Sequence, residues 1–105
     1  MKVFTAESDG CLKLSFVGEL DHHGAKDAMK TIENLIDENM PHDCIMDLTE
    51  LNFMDSSGIA VILRVNKRMR DMCGNAWVEN PVGQPLRVLE AAGIDRVIKV
   101  YSKAQ

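Results

Sequence analysis

The sequence contains no apolar run approaching the ~18 residues that a bilayer-crossing helix requires, so no membrane partner is expected. Its first residues, Met1-Lys2-Val3-Phe4-Thr5, lead into a strand-like pattern without a signal-peptide core or a small-residue cleavage site. A cytoplasmic location is the expectation. Basic charge is not in excess: 12 Lys and Arg stand against 16 Asp and Glu, a formal net charge of -4. Phosphate backbones demand a basic footprint, which argues against nucleic acid as a direct partner. Cysteine is scarce and odd in number. Cys11, Cys44 and Cys73 lie far apart with no Cys-x-x-Cys, which supports neither a zinc site nor a disulfide framework. Three reduced, mostly buried thiols are expected. A Gly-x-Ser-x-Gly nucleophile elbow and a glycine-rich phosphate loop are both missing. His22, His23 and His42 offer a base, but no spacing identifies a triad. The chain therefore reads as a non-enzyme without a cofactor.

What remains is a chain of 105 residues, 46% hydrophobic and 27% charged, suited to one domain over residues 1–105. A domain of this size buries roughly 65% of the surface its unfolded chain exposes, enough for a single core. Residues 3–16 read as a hairpin, because Asp9-Gly10 suits a tight turn with two positive φ angles. Leu12, Leu14 and Phe16 alternate with Lys13 and Ser15, the mark of a strand with one buried face. Residues 17–24 read as a connection. Ala25, Ala28, Met29, Ile32, Leu35 and Ile36 then share one helical face, and Asn39-Met40-Pro41 stops that helix. A short apolar strand is predicted over 44–48, and a loop from Asn52 to Ser57 opens a second helix. That helix carries Ile59, Ile62, Leu63, Met69 and Met72 inward, with Gly74 as a left-handed stop. A strand over 76–79 follows, then a helix over 85–92 with Leu86, Leu89 and Ala92 inward and Gly93 at its end. Residues 97–100 read as a last strand.

The order β-β-α-β-α-β-α-β predicts an α/β fold: a mixed, mostly parallel sheet of four to five strands, an N-terminal β-hairpin and three to four helices. Loops at the carboxyl ends of such strands tend to carry function. Residues 18–24 and 52–57 both follow a strand and open a helix, which places them on one rim.

Asp55-Ser56-Ser57-Gly58 admits two readings. Asp and Ser are favoured N-caps, since their oxygens accept free backbone N–H groups, and a purely structural cap explains them. The same geometry exposes a hydroxyl where N–H groups can hold an anion. A phosphate there would add about -1.5 to -2 charges beside Asp55. Asp21-His22-His23 reads as a loop or helix start, because neighbours in an extended segment point opposite ways and do not readily share one metal ion. Arg64, Lys67, Arg68 and Arg70 form a basic face, read as solvated or as a contact for an acidic partner, and His42 reads as a surface residue.

Two segments carry a family resemblance. Gly18-Glu19-Leu20-Asp21-His22-His23 and the stretch from Leu51 to Leu63, with Asp55-Ser56-Ser57-Gly58 at its centre, resemble the two signature segments of STAS domains, and most of all the bacterial anti-sigma factor antagonists. The likeness runs through the strand and helix order of nearly the whole chain. It implies a STAS-like fold and partner switching: the unmodified protein binds an anti-sigma factor that is also an ATP-dependent serine kinase, which releases the sigma factor. By the same resemblance Ser56 is the phosphoacceptor, and a PP2C-type serine phosphatase reverses the modification. Asp21, His22, His23, Asp55, Ser56, Ser57 and Gly58 form the partner-binding region. ATP and magnesium belong to the kinase. One departure is Ala60, where the family often has a second glycine; alanine is still small and a better helix former. The alternative is a STAS interaction or ligand-sensing module in another signalling assembly.

Overall fold

The Asp9-Gly10 pair turns the chain with φ angles of 52° and 79°, as the pattern requires. It joins β1 (Lys2–Ser8) to β2 (Cys11–Leu20) in an antiparallel hairpin closed by Ser8 opposite Cys11. The computed structural model describes residues 1–102. Leu12, Leu14, Phe16 and Leu20 are the buried residues of β2. The strand does not end at Phe16, as expected from the alternation, but runs on through residues 17–20. Gly18 makes this possible: its φ of 107° coincides with a register shift between Gly18 and Glu19, a bulge that side chains rarely tolerate.

α1 (His22–Asn39) buries Ala25, Ala28, Met29, Ile32 and Ile36 of the predicted stripe, with Leu35 half-buried at its edge. It begins before that stripe because Asp21 caps it, and ends where Met40 turns left-handed with φ 45°. The Asn39 side chain donates to the Leu35 carbonyl at 2.8 Å. Then follow β3 (Asp43–Asp47), β4 (Leu51–Met54), α2 (Ser56–Asp71), β5 (Asn75–Glu79), α3 (Gly83–Ala92), a 3₁₀ turn (Ile94–Arg96) and β6 (Val100–Tyr101).

The sheet runs β1-β2-β3-β5-β6, antiparallel at the hairpin and parallel elsewhere, with β4 pairing in parallel to the end of β2. The mixed, mostly parallel α/β architecture and its three helices match the expectation, but the strands among the described residues number six rather than four or five. The extra strand is β4, which the sequence hides. Four residues with only Leu51 and Met54 buried show no alternation to read.

Four smaller readings are also corrected. The last strand is Val100–Tyr101, since residues 94–96 form the 3₁₀ turn and the Val97 and Ile98 N–H groups fold back onto the Ile94 carbonyl, with Ile98 buried and Val97 exposed. The left-handed residue after α2 is Cys73, with φ 61°. Gly74 serves close approach instead, because a Cβ there would sit 2.6 Å from the His42 carbonyl oxygen. Ala92 is exposed, and Pro85 and Leu89 are the buried residues of α3. Of the three thiols only Cys44 is buried, which pushes it up to about 12; Cys11 is half-buried and Cys73 exposed.

The buried residues of β2, Cys44 and Met46 of β3 and Val78 of β5 form one cluster with Ile32 and Ile36 of α1 and Ile62, Val65 and Met69 of α2. Each such side chain contributes about 1.5–3 kcal/mol when fully buried, against about 0–1 kcal/mol for a surface ion pair. The cluster therefore decides the fold. The ion pairs from Arg64 to Glu33 and from Arg68 to Asp37 decorate the α1–α2 contact. Among the described residues, no helix is long and apolar enough to cross a membrane.

Candidate functional site

The site exists because two strands end side by side. Leu20 of β2 pairs with Met54 of β4, so the next residues, Asp21 and Asp55, stand at adjacent helix starts. Both have extended backbone (φ -107° and -121°), the conformation of an N-cap, and both cap with the carboxylate. One oxygen of Asp21 accepts the N–H groups of His23 and Gly24, each at 3.0 Å. The Gly24 N–H first, and the His23 N–H with the nearby imidazoles, hold the Asp21 carboxyl below the usual carboxylate range.

Asp55 divides its two oxygens. Oδ1 accepts the Ser57 N–H of its own helix at 2.8 Å, and Oδ2 accepts the His22 N–H of α1 at 3.2 Å. The His22 ring nitrogen Nδ1 lies 3.9 Å from the same oxygen. The Asp55 N–H in turn donates to the Leu20 carbonyl at 3.4 Å. A single carboxylate thus ties the two helix starts together. Gly58 permits the close approach: a Cβ there would lie 2.7 Å from Met54 Cγ and 3.0 Å from the Leu20 carbonyl oxygen.

Ser56, the first residue of α2, is exposed; Ser57 is half-buried and Gly58 buried. Ser57 lines a groove between α1 and α2 together with His22, Met29, Ala60 and Arg64. His22 and His23 are exposed in the first turn of α1 rather than in an extended segment, and their rings lie 4.0 Å apart between centroids. Glu19 stands on the same rim, paired with Phe53. The structure therefore gathers Asp21, His22, His23, Asp55, Ser56, Ser57 and Gly58 at one end of the sheet. His42 is remote from them, beside Gly10 and Gly74. The basic face of α2 is partly neutralised, with Arg64, Lys67 and Arg68 each paired to a carboxylate.

Chemically the cluster presents a hydroxyl next to two carboxylates already committed to backbone N–H groups. One further residue belongs to it. The Gln84 side chain accepts the Met54 N–H and donates to the Met54 carbonyl, both at 2.9 Å. Nothing in the sequence signals this, since the partner lies 30 residues away.

Comparison with known proteins agrees with this fold. The family model described as STAS domain matches residues 3–105. The anti-sigma F factor antagonist of Paenibacillus polymyxa is 31% identical over 93 residues, covering 88% of this chain and 79% of that protein. The anti-sigma factor antagonist SpoIIAA in its unphosphorylated form superposes with a TM-score of 0.81 at 21% identity, covering 97% of this chain and 90% of the other. The phosphorylated form of the Bacillus cell fate determinant SpoIIAA gives 0.72 at 21% identity, covering 97% and 93%. At that identity the two structures speak for the shared fold.

Proposed function

The chain belongs to the STAS domain family, and on that premise we propose that it is an anti-sigma factor antagonist whose binding to a serine-kinase anti-sigma factor is switched off by phosphorylation of Ser56. The observation that carries this reading is the exposed Ser56 at the start of α2, one residue from the carboxylate that ties α2 to α1. A named relative, the P. polymyxa anti-sigma F factor antagonist, supports the partner class.

The kinase transfers the terminal phosphoryl group of ATP to the Ser56 hydroxyl oxygen and releases ADP; a PP2C-type phosphatase hydrolyses the ester. This chain contributes the acceptor and the docking surface, with Asp21, His22, His23, Asp55, Ser57 and Gly58 around it. The new phosphate carries about -1.5 to -2 charges at pH 7. At ~6 Å and an effective dielectric constant of about 20, each pair of unit charges is worth roughly 3 kcal/mol. One acidic group of the partner facing the rim then costs the complex more than a hundredfold in affinity, since 1.4 kcal/mol is about tenfold. A lost neutral hydrogen bond, at about 1 kcal/mol, is the smaller effect. The charge, not the loss of the hydroxyl, throws the switch.

The test is direct. Protein that co-purifies with unmodified chain is identified, then incubated with the chain and ATP. Mass spectrometry should find one phosphate on Ser56 and none on Ser56→Ala; phosphate persisting on the variant rejects the site. Ser56→Asp should weaken the complex in calorimetry while circular dichroism stays native, and equal affinity would remove the charge argument. Recovery of a signalling component that is no kinase would favour a STAS module in another assembly.

A further inference from the structure

Among the described residues, β4 has a neighbouring strand on one edge only. Its pairing with β2 uses Phe53 opposite Glu19 and the Asp55 N–H on the Leu20 carbonyl. Backbone groups of successive residues in a strand point to opposite edges. The N–H and C=O of Met54 therefore point away from β2, where the described residues supply no further strand. Exposed edges of this kind invite slippage, and partly buried orphan groups are costly. Here both groups are occupied by one side chain. The Gln84 Oε1 accepts the Met54 N–H and its Nε2 donates to the Met54 carbonyl, each at 2.9 Å. A glutamine amide carries the donor and acceptor of a peptide group, so Gln84 stands in for the missing strand.

The chain delivers this side chain at some conformational cost. Asn80 and Gly83 both take left-handed backbone, with φ 58° and 62°, and Gln84 follows as the second residue of α3. Met54 immediately precedes Asp55, whose carboxylate joins α2 to α1, and Ser56 comes next. A clamp on Met54 fixes the direction in which the chain enters the cap.

We infer that Gln84 is a positioning residue for the Ser56 site: it holds the end of β4 so that the Asp55 cap and the Ser56 hydroxyl are presented in one orientation. Its value for switching rests on the reading of Ser56 given above. Its effect on the site does not.

Hydrogen exchange by NMR tests the clamp without any partner. In Gln84→Ala the Met54 amide should exchange about tenfold faster, and the Ser57 amide, held by Asp55, at least threefold faster, while the Met46 amide in the core keeps its wild-type rate. Unchanged exchange at Ser57 would overturn the proposal. Gln84→Glu separates the clamp from mere packing and covers the case in which the alanine variant does not fold. Its carboxylate can accept from the Met54 N–H but cannot donate to the Met54 carbonyl; its protonated acid does both. Exchange at Ser57 in this variant should approach wild type as the pH falls from about 6 to about 3.5, through the ordinary glutamate value of about 4.3, after correction for intrinsic rates. A ratio to wild type that does not change with pH counts against the clamp.

With the co-purified kinase and ATP, Gln84→Ala should lower kcat for Ser56 phosphorylation about tenfold with KM within twofold; an unchanged kcat would also overturn the positioning role. Absence of phosphate on the wild-type chain would instead refute the reading of Ser56 and leave the exchange data to decide the clamp.

Discussion

The two helix starts of the rim are built from the same parts and wired differently. Each follows a strand, each is capped by an aspartate, and each has a glycine as its third helical residue. Asp21 spends both its bonds within α1, on His23 and Gly24. Asp55 spends one within α2 and one on α1. Gly24 lies near the Met1 side chain at the chain terminus, whereas Gly58 is pressed against core Met54 and the backbone of Leu20. The start of α1 is an ordinary capped end. That of α2 is the joint between two helices and two strands, and it is the one that presents Ser56.

The largest expected contrast lies between the two glycines. Gly58→Ala forces a Cβ against the Leu20 carbonyl oxygen, a backbone atom that cannot step aside, and against Met54, which is fully buried. Overpacking of this kind costs about 1–3 kcal/mol. For a domain near this size that lowers Tm by roughly 4–8 °C per kcal/mol. Gly24→Ala meets the side chain of Met1 at 3.2 Å, which is partly exposed and can shift, and the Glu19 carbonyl oxygen at an ordinary 3.6 Å, and it gains up to about 1 kcal/mol of helix propensity. Thermal melts should show a clear loss for the first and at most a slight change for the second. Equal losses would erase the distinction between joint and end.

The capping carboxylates come next. Asp55→Ala strips a cap from α2, at about 0.5–2 kcal/mol, and also frees the His22 N–H. Asp21→Ala disturbs α1 alone. Urea titrations should rank Asp55→Ala as the more destabilising. The reverse order would mean that the bond across to His22 carries little.

How much of this was legible beforehand follows from the same contrast. The hairpin turn at Asp9-Gly10, the α1 stripe from Ala25 to Ile36 and the mostly parallel sheet are local or periodic, and periodicity survives without tertiary information. Asp21 and Asp55 were readable as helix-start residues because capping is local chemistry. That they are neighbours depends on Leu20 pairing with Met54 across a bulge, in a strand too short to show alternation. The sharing of Asp55 between two helices and the hold of Gln84 on Met54 join residues 33 and 30 apart, which no local pattern encodes. Val97 to Val100 misled for the opposite reason: an apolar run looks like a strand even where a 3₁₀ turn, not a ladder, buries Ile98.

Acid sharpens the comparison from the α1 side. The folded state holds the Asp21 carboxyl below the usual carboxylate range, so the native protein binds fewer protons there than the unfolded chain. The stabilisation is fully present above the unfolded value, near pH 4, and is lost as the pH falls through the lower folded value. Asp21→Asn keeps a capping oxygen but cannot ionise. The stability gap between wild type and Asp21→Asn should therefore be constant from pH 7 to about 5 and shrink below pH 4. A gap that persists undiminished at pH 2–3 would show that ionisation of Asp21 plays no part.

The smallest effect should come from Ser56, the proposed phosphoacceptor. Ser56 is exposed, and Asp55, not Ser56, caps α2. Surface substitutions away from caps and core usually fall within about 0.5 kcal/mol of zero, so Ser56→Ala should leave both the urea midpoint and the slope of the transition unchanged. This near-silence gives the phosphorylation control its meaning, because a variant that folds as the parent does and takes no phosphate has lost only its acceptor. A loss above about 1 kcal/mol would place Ser56 within the joint itself, and its two roles, structural and regulatory, would then have to be separated before either could be assigned.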